Sequence, residues 1–294
     1  MINEKCNAIL GRDIRTCRVV WNECIRLGYL SEDSYPFSNK DNSLISIPRG
    51  KHRQQSYLSV GEMTDLYFVK KSYPENWDKD YRQRAHESLG LFLAQYLCNG
   101  FNLADAGRLT YNRTYFVEGG KAFEFLRKKT SARSNGMSQV IVPIIQPLKI
   151  ILSEIAAEPK KDAYVFPQLF YGIEDETIRR KLTVQENSNI KDRLNRICKE
   201  VLHWEKHPSG TWARHSFATN LKLAGVEEMY ISESMGHSLG NDITAGYQDQ
   251  YPLEIRFRNN AKLLKVEESK GETIDIDSLS PEQMKKLLKK MMGQ

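Results

Sequence analysis

Apolar residues recur along most of this chain at helical rather than strand spacing. Between positions 17 and 27 they fall at Val20, Trp21, Cys24, Ile25 and Leu27, one side of a helix, and Gly28 is placed to cap its end. Residues 1–16 carry little pattern. Ser59 and Glu62 form a capping box that opens a helix over 60–70. A longer helix over 78–97 puts Ala85, Leu89, Phe92, Leu93, Tyr96 and Leu97 on its apolar side, and Cys98-Asn99-Gly100 breaks it. After a short helical turn at 103–106 the period changes. TYNRTYFVEGGKAFEFLRKKT reads as two strands joined at Gly119-Gly120, a turn that needs positive φ, and a third strand follows at 139–143. Helices return at 147–157 and 190–205, the second with Ile190, Leu194, Ile197 and Val201 in one stripe. A helix from near Thr211, a turn at Gly225, a second helix to about Met235, a loop at Gly236 and a short segment carrying Tyr247 follow.

These elements predict an α+β fold, mostly α, with a small antiparallel three-stranded sheet. Residues 31–55 are polar, rich in Ser and Asn and interrupted by prolines, and read as a linker. The expected division is therefore 1–30, a linker over 31–55, a main domain over 56–266, and a tail over 267–294. The tail starts with five acids against one lysine in 267–279. Ser280-Pro281-Glu282-Gln283 then caps a helix with Met284, Leu287, Leu288, Met291 and Met292 on one side and four lysines on the other. So short a helix needs a surface to bury its apolar side.

Composition narrows the picture modestly. A net charge of +6 and a pI near 8.9 fit a nucleic-acid partner without requiring one. The charge is concentrated locally: residues 121–133 hold five basic side chains against one acidic, a balance of +4. A basic hairpin suits a phosphate backbone, although lysines also guard solvated sheet edges. Five cysteines without a CxxC pair read as reduced thiols, and no apolar run is long enough for a membrane span, so the expected compartment is the cytoplasm. His203 and His207 are four apart, but Pro208 and a helix end lie beside them and no third ligand is near, so no metal site is expected.

The chemistry lies in GTWARHSFATNLKLAGVEEMYISESMGHSLGNDITAGYQDQYP, residues 210–252. Arg214, His237 and Tyr247 stand 23 and 10 residues apart. Arginine offers a forked, permanently charged donor to phosphate oxygens, histidine a further donor, and tyrosine an oxygen nucleophile. Singly, each has a structural alternative: a surface ion pair, a helix-end residue, a packed aromatic. In this order they resemble something more specific. ARHSFATNL, then SMGH, then Tyr, is similar to the signature of tyrosine recombinases, or phage integrases, and most to the subgroup from conjugative transposons. The resemblance covers residues 17–265.

That resemblance implies a tyrosine-recombinase catalytic domain over 56–266, preceded at 1–30 by the last helix of a core-binding domain. It implies an enzyme of mobile elements, a DNA strand transferase that cuts and rejoins DNA through a 3′-phosphotyrosine link without metal or other cofactor. Tyr247 is the implied nucleophile, with Tyr251 as rival. Arg214 matches the second arginine, His237 the histidine after the Gly, and Lys129 the strand lysine that protonates the leaving 5′-oxygen. Thr211 stands where the family has a histidine. Asn102 stands where it has a first arginine, leaving Arg127 or Arg108 as substitutes. Arg127, Lys128 and Arg133 are expected on DNA. Implied partners are double-stranded DNA, further copies exchanging the tail helix, and accessory DNA-bending proteins. Two alternatives stay open: a catalytically impaired DNA-binding relative, which Asn102 favours, and a type IB topoisomerase-like relaxing enzyme, against which the tail helix argues.

Overall fold

A computed structural model describes residues 4–37, 44–45, 47, 56–69, 72–127, 139–237 and 249–266, without the side chains of 4–8. Lys128, Lys129, Arg133, Tyr247 and the tail helix expected over 281–292 lie outside the described residues. The chain divides into two compact units, Met1–Gln55 and Ser56–Gln294.

The first unit is built on α1 (Glu4–Arg26), which starts well before the expected position 17. Its first half carries Cys6, Leu10 and Ile14 at helical spacing, a stripe that runs on into Cys17, Trp21 and Cys24 and that the reading of residues 1–16 missed. Gly28, at φ +77°, ends the helix: its N–H donates to Ile25 O and that of Tyr29 to Cys24 O, closing the last turn. The stretch expected to be a linker begins with a 3₁₀ turn, Glu32–Ser34, and places Phe37 edge-on to Trp21 with ring centroids 6.0 Å apart.

The second unit is organised around α3 (Lys79–Leu97). Asp78 caps it, accepting from Tyr81 N at 2.7 Å. From Ser88 to Leu97 every side of this helix is buried, so it is a central rod rather than a surface helix. Around it pack α6 (Gln146–Ile155), α7 (Glu176–Glu200) and α8 (Gly210–Leu223). The helix α2 (Val60–Val69) opens with the expected Ser59–Glu62 box, in which Ser59 N donates to the Glu62 carboxylate at 2.9 Å. Buried polar bonds tie these layers together. Tyr96 Oη donates to Leu263 O at 2.7 Å and accepts from Asn220 Nδ2 at 2.9 Å, while Asn220 also donates to Leu58 O at 3.0 Å. Burial raises the Tyr96 pKa, so its hydroxyl keeps its proton.

The sheet differs from expectation. Among the described residues it has two strands, β1 (Ala122–Leu126) and β2 (Gln139–Pro143), antiparallel with Glu124 opposite Ile141. The expected first strand is instead the helix α5 (Arg113–Val117). TYFV has strand-forming side chains, but Asn112 caps the segment by accepting from Tyr115 N, and this local bond wins over propensity. Gly119 and Gly120 do take positive φ, as the exit of that helix rather than a hairpin.

Before α5 comes the short α4 (Leu103–Ala106), at its expected position. Helix α7 starts fourteen residues earlier than the expected 190, because its polar first half shows no apolar stripe. The last pair is α9 (Glu228–Ser234) and α10 (Leu253–Asn260), the second unforeseen although Pro252 sits at its N-cap. No helix among the described residues is long and apolar enough to cross a membrane.

Candidate active site

Arg214 lies in the second turn of α8, and its guanidinium is fixed at three points. Nη1 donates to Gly100 O at 2.8 Å, and Nη2 to Met235 O at 3.3 Å. Nη2 is also 2.7 Å from His237 Nε2. A guanidinium only donates, so the imidazole Nε2 accepts there and carries no proton. The seat for Arg214 is shaped by Gly100, which has φ +64°. A Cβ at that position would stand 3.0 Å from Arg214 Cα and 3.3 Å from Phe217 Cβ, so the backbone approaches α8 as only glycine allows.

The Met235 carbonyl that Arg214 binds also accepts from Arg127 Nη1, at 3.4 Å. Arg127 follows β1 and is buried, and its Nε has no hydrogen-bond partner among the described residues. Met235 is the C-cap of α9, so its carbonyl stands at the negative end of a helix dipole and draws both cations. Burial first, and then the Arg127 charge, push the Arg214 pKa down to about 10, against the opposing pull of Asp105. The cluster thus carries two crowded cations, a cost that an incoming anion would offset.

Arg108 is engaged elsewhere. Arg108 donates to Ala104 O at 2.6 Å and to Glu176 Oε2 at 2.7 Å, with its guanidinium 5.3 Å from the centre of the Phe170 ring. Asn102 is the N-cap of α4. Its Oδ1 accepts from Asp105 N at 2.9 Å and its Nδ2 donates to Asp105 Oδ2 at 2.7 Å. It therefore helps to aim the Asp105 carboxylate, which favours the Arg214 charge. Thr211, one helical turn before Arg214, shares a hydrogen bond with Ser209 Oγ at 3.1 Å.

Two openings flank Arg214. One, of about 510 Å³, is lined by Asn102, Thr211 and Arg214 together with residues of α7. The other, of about 430 Å³, is lined by Arg214, His215 and His237. His215 is half-buried, and its pKa is lowered by burial and then by the neighbouring Arg214 charge.

Tyr251 is held as a structural group. Its hydroxyl donates to Glu227 Oε2 at 2.8 Å, its N–H donates to Glu233 Oε1 at 3.1 Å, and its ring is edge-on to Tyr230 at 5.2 Å. Its pKa is pushed up to about 12, by burial first and then by Glu227 and Glu233. Arg256, fully buried, pairs with Glu233 and donates to Tyr251 O at 2.8 Å. At 100° per residue, Tyr230 and Glu233 lie on one side of α9, whereas Ser232 and Met235, which line the opening with His237, lie on the other. Tyr251 therefore packs on the side of α9 away from Arg214 and His237. Its neighbours Glu233 and Arg256 went unnoticed in the sequence, where neither belongs to a motif.

The structure brings together Arg214, His237, Arg127, Thr211 and Asn102, and leaves Arg108 on another set of partners. Neither a scan against protein-family models nor a search of curated proteins finds a match to this chain.

Proposed function

We propose that this chain is a site-specific DNA recombinase that cuts and rejoins DNA through a 3′-phosphotyrosine intermediate. The observation that carries the reading is the meeting of Arg214, Arg127 and His237 around the Met235 carbonyl. Two cations so close, one of them hydrogen-bonded to a histidine, suit a phosphodiester. Its non-bridging oxygens would replace His237 Nε2 and the carbonyl as acceptors for Arg214. Such fixed donors stabilise the charge that grows in the transition state, often the largest contribution to rate. Arg127 then supplies the charge that Asn102 lacks.

In this reading Tyr247 Oη attacks the phosphorus as its proton passes to water, a bond to the tyrosine oxygen forms, and the bond to the 5′-oxygen breaks. Lys129 gives that oxygen a proton. Strand exchange follows when the 5′-hydroxyl of another strand attacks the phosphotyrosine. The cytoplasm is the proposed compartment. Double-stranded DNA and further copies of the chain are the proposed partners.

The test is trapping on nicked DNA from the ends of the host element, with denaturing gels to detect protein joined to DNA. Tyr247→Phe removes only the attacking oxygen. It should abolish the adduct and leave binding within about threefold, below the tenfold that 1.4 kcal/mol gives. Tyr251→Phe should keep the adduct. An adduct that survives Tyr247→Phe and disappears in Tyr251→Phe would overturn the assignment. Asn102 favours a second reading, a DNA-binding relative without activity, since an N-cap amide contributes no charge. Specific binding with no adduct from the wild-type protein would select it.

A further inference from the structure

The larger opening beside Arg214 is not accounted for by one phosphate. At ~30 Å³ for each water-sized group, its volume of about 510 Å³ holds far more than one tetrahedral anion. Its far wall is α7, which contributes Thr183, Asn187, Ser188 and Lys191. The first, second and fourth of these are four residues apart, so they form one polar stripe along the helix. Its near wall is the start of α8, with Thr211 in the first turn and Arg214 in the second. The two walls meet closely, since a Cβ on Gly210 would stand 2.9 Å from Asn187 Oδ1. Lysine and arginine are the charged residues that line this cleft. Among the described residues no carboxylate does. Amides and hydroxyls supply the remaining polar groups. Phe101, Leu103 and Ala104 supply the apolar part of the lining. Cations without acids, with neutral hydrogen-bonding groups beside them, favour an anion.

We propose that Lys191 binds a second backbone phosphate of the DNA, next to the one held by Arg214, with Thr211 hydrogen-bonded to the same phosphate. This rests on the reading of the Arg214 cluster as a phosphodiester site. It adds a cation from α7, a helix that none of the sequence motifs touches. Lys191 contributes a point charge on a flexible stem, which suits holding a backbone in register rather than stabilising a transition state. It is exposed, so its replacement leaves the core untouched.

The experiment measures binding of the full chain to a short DNA duplex across a range of salt concentrations. Lys191→Ala should reduce the slope of log K against log salt by about 0.9, the value for one lost phosphate contact. Lys191→Arg should restore it. Lys199→Ala, two turns further along α7, should leave it unchanged. Thr211→Val combined with Lys191→Ala should weaken binding by less than the product of the single effects, because both groups hold one phosphate. A wild-type slope in Lys191→Ala, with normal wild-type binding, overturns the role of Lys191 and leaves the Arg214 site standing. Strictly multiplicative effects of the two substitutions overturn the shared phosphate. Absence of any salt-dependent binding by the wild-type protein overturns both this inference and the DNA reading beneath it.

Discussion

His215 sits beside Arg214 yet takes a different part. Burial and the arginine charge lower its pKa below the ordinary 6.5. The unfolded chain therefore binds a proton at this position more readily than the folded one. Stability from the neutral imidazole is complete above the unfolded pKa and is lost as pH falls from there through the folded pKa. The expected outcome is a urea midpoint that drops as the pH falls below about 6.5, with a smaller drop in His215→Gln. Equal drops in the two proteins would remove His215 as a source of the pH dependence. At this scale much was legible in the sequence. Arginine and histidine 23 residues apart are recognisable as a pair before any fold is known. That Arg127 and not Arg108 reaches the Met235 carbonyl was not legible, because that partner lies 108 residues away from Arg127.

At the scale of elements, the junction of α3 and α4 is the part that positions the site. Asn99 and Gly100 both take left-handed φ there. Asn99 Nδ2 donates to Ile141 O on β2, and Gly100 O accepts from Arg214. Gly100→Ala forces a side chain into that conformation at ~1–2 kcal/mol and crowds α8 at ~1–3 kcal/mol. A loss of about 3 kcal/mol is expected in chemical denaturation, along with a greater loss of DNA binding than the fall in folded fraction explains. Unchanged stability would show that α8 can move aside. Sequence periodicity found the helices that bury a stripe and missed those that do not. The first half of α7, ETIRRKLTVQENSN, is polar enough to hide its period, and with it the stripe ending at Lys191. Helix α5 was missed for the opposite reason, since its side chains favour strands and one asparagine cap decides against them.

For the whole molecule, the second unit has a continuous core running from Leu58 to Leu264, and its described part ends at Val266. The capped apolar pattern over 281–292 is separated from it by an acidic stretch. Deleting residues 270–294 is expected to leave the thermal midpoint unchanged and to weaken assembly of several copies on DNA, read by band shifts at rising protein concentration. Equal assembly with and without the tail would end the proposal that copies exchange it. A lowered midpoint would mean that the tail packs on its own chain. Composition and linker pattern could suggest these divisions, but not which surface the tail would cover, since surface complementarity exists only after folding.

The close approach at Gly100 has a consequence for genetics. Under the proposed function, in a saturation library selected for DNA rearrangement, alleles at position 100 should be purged almost as thoroughly as those at Arg214. Ranking positions by depletion would place a residue with no side chain among the chemical groups. Sorting the same library first for soluble, folded protein separates the two classes. Codon changes at 214 would pass that sort and fail the selection, whereas most changes at 100 would be lost at the sort itself.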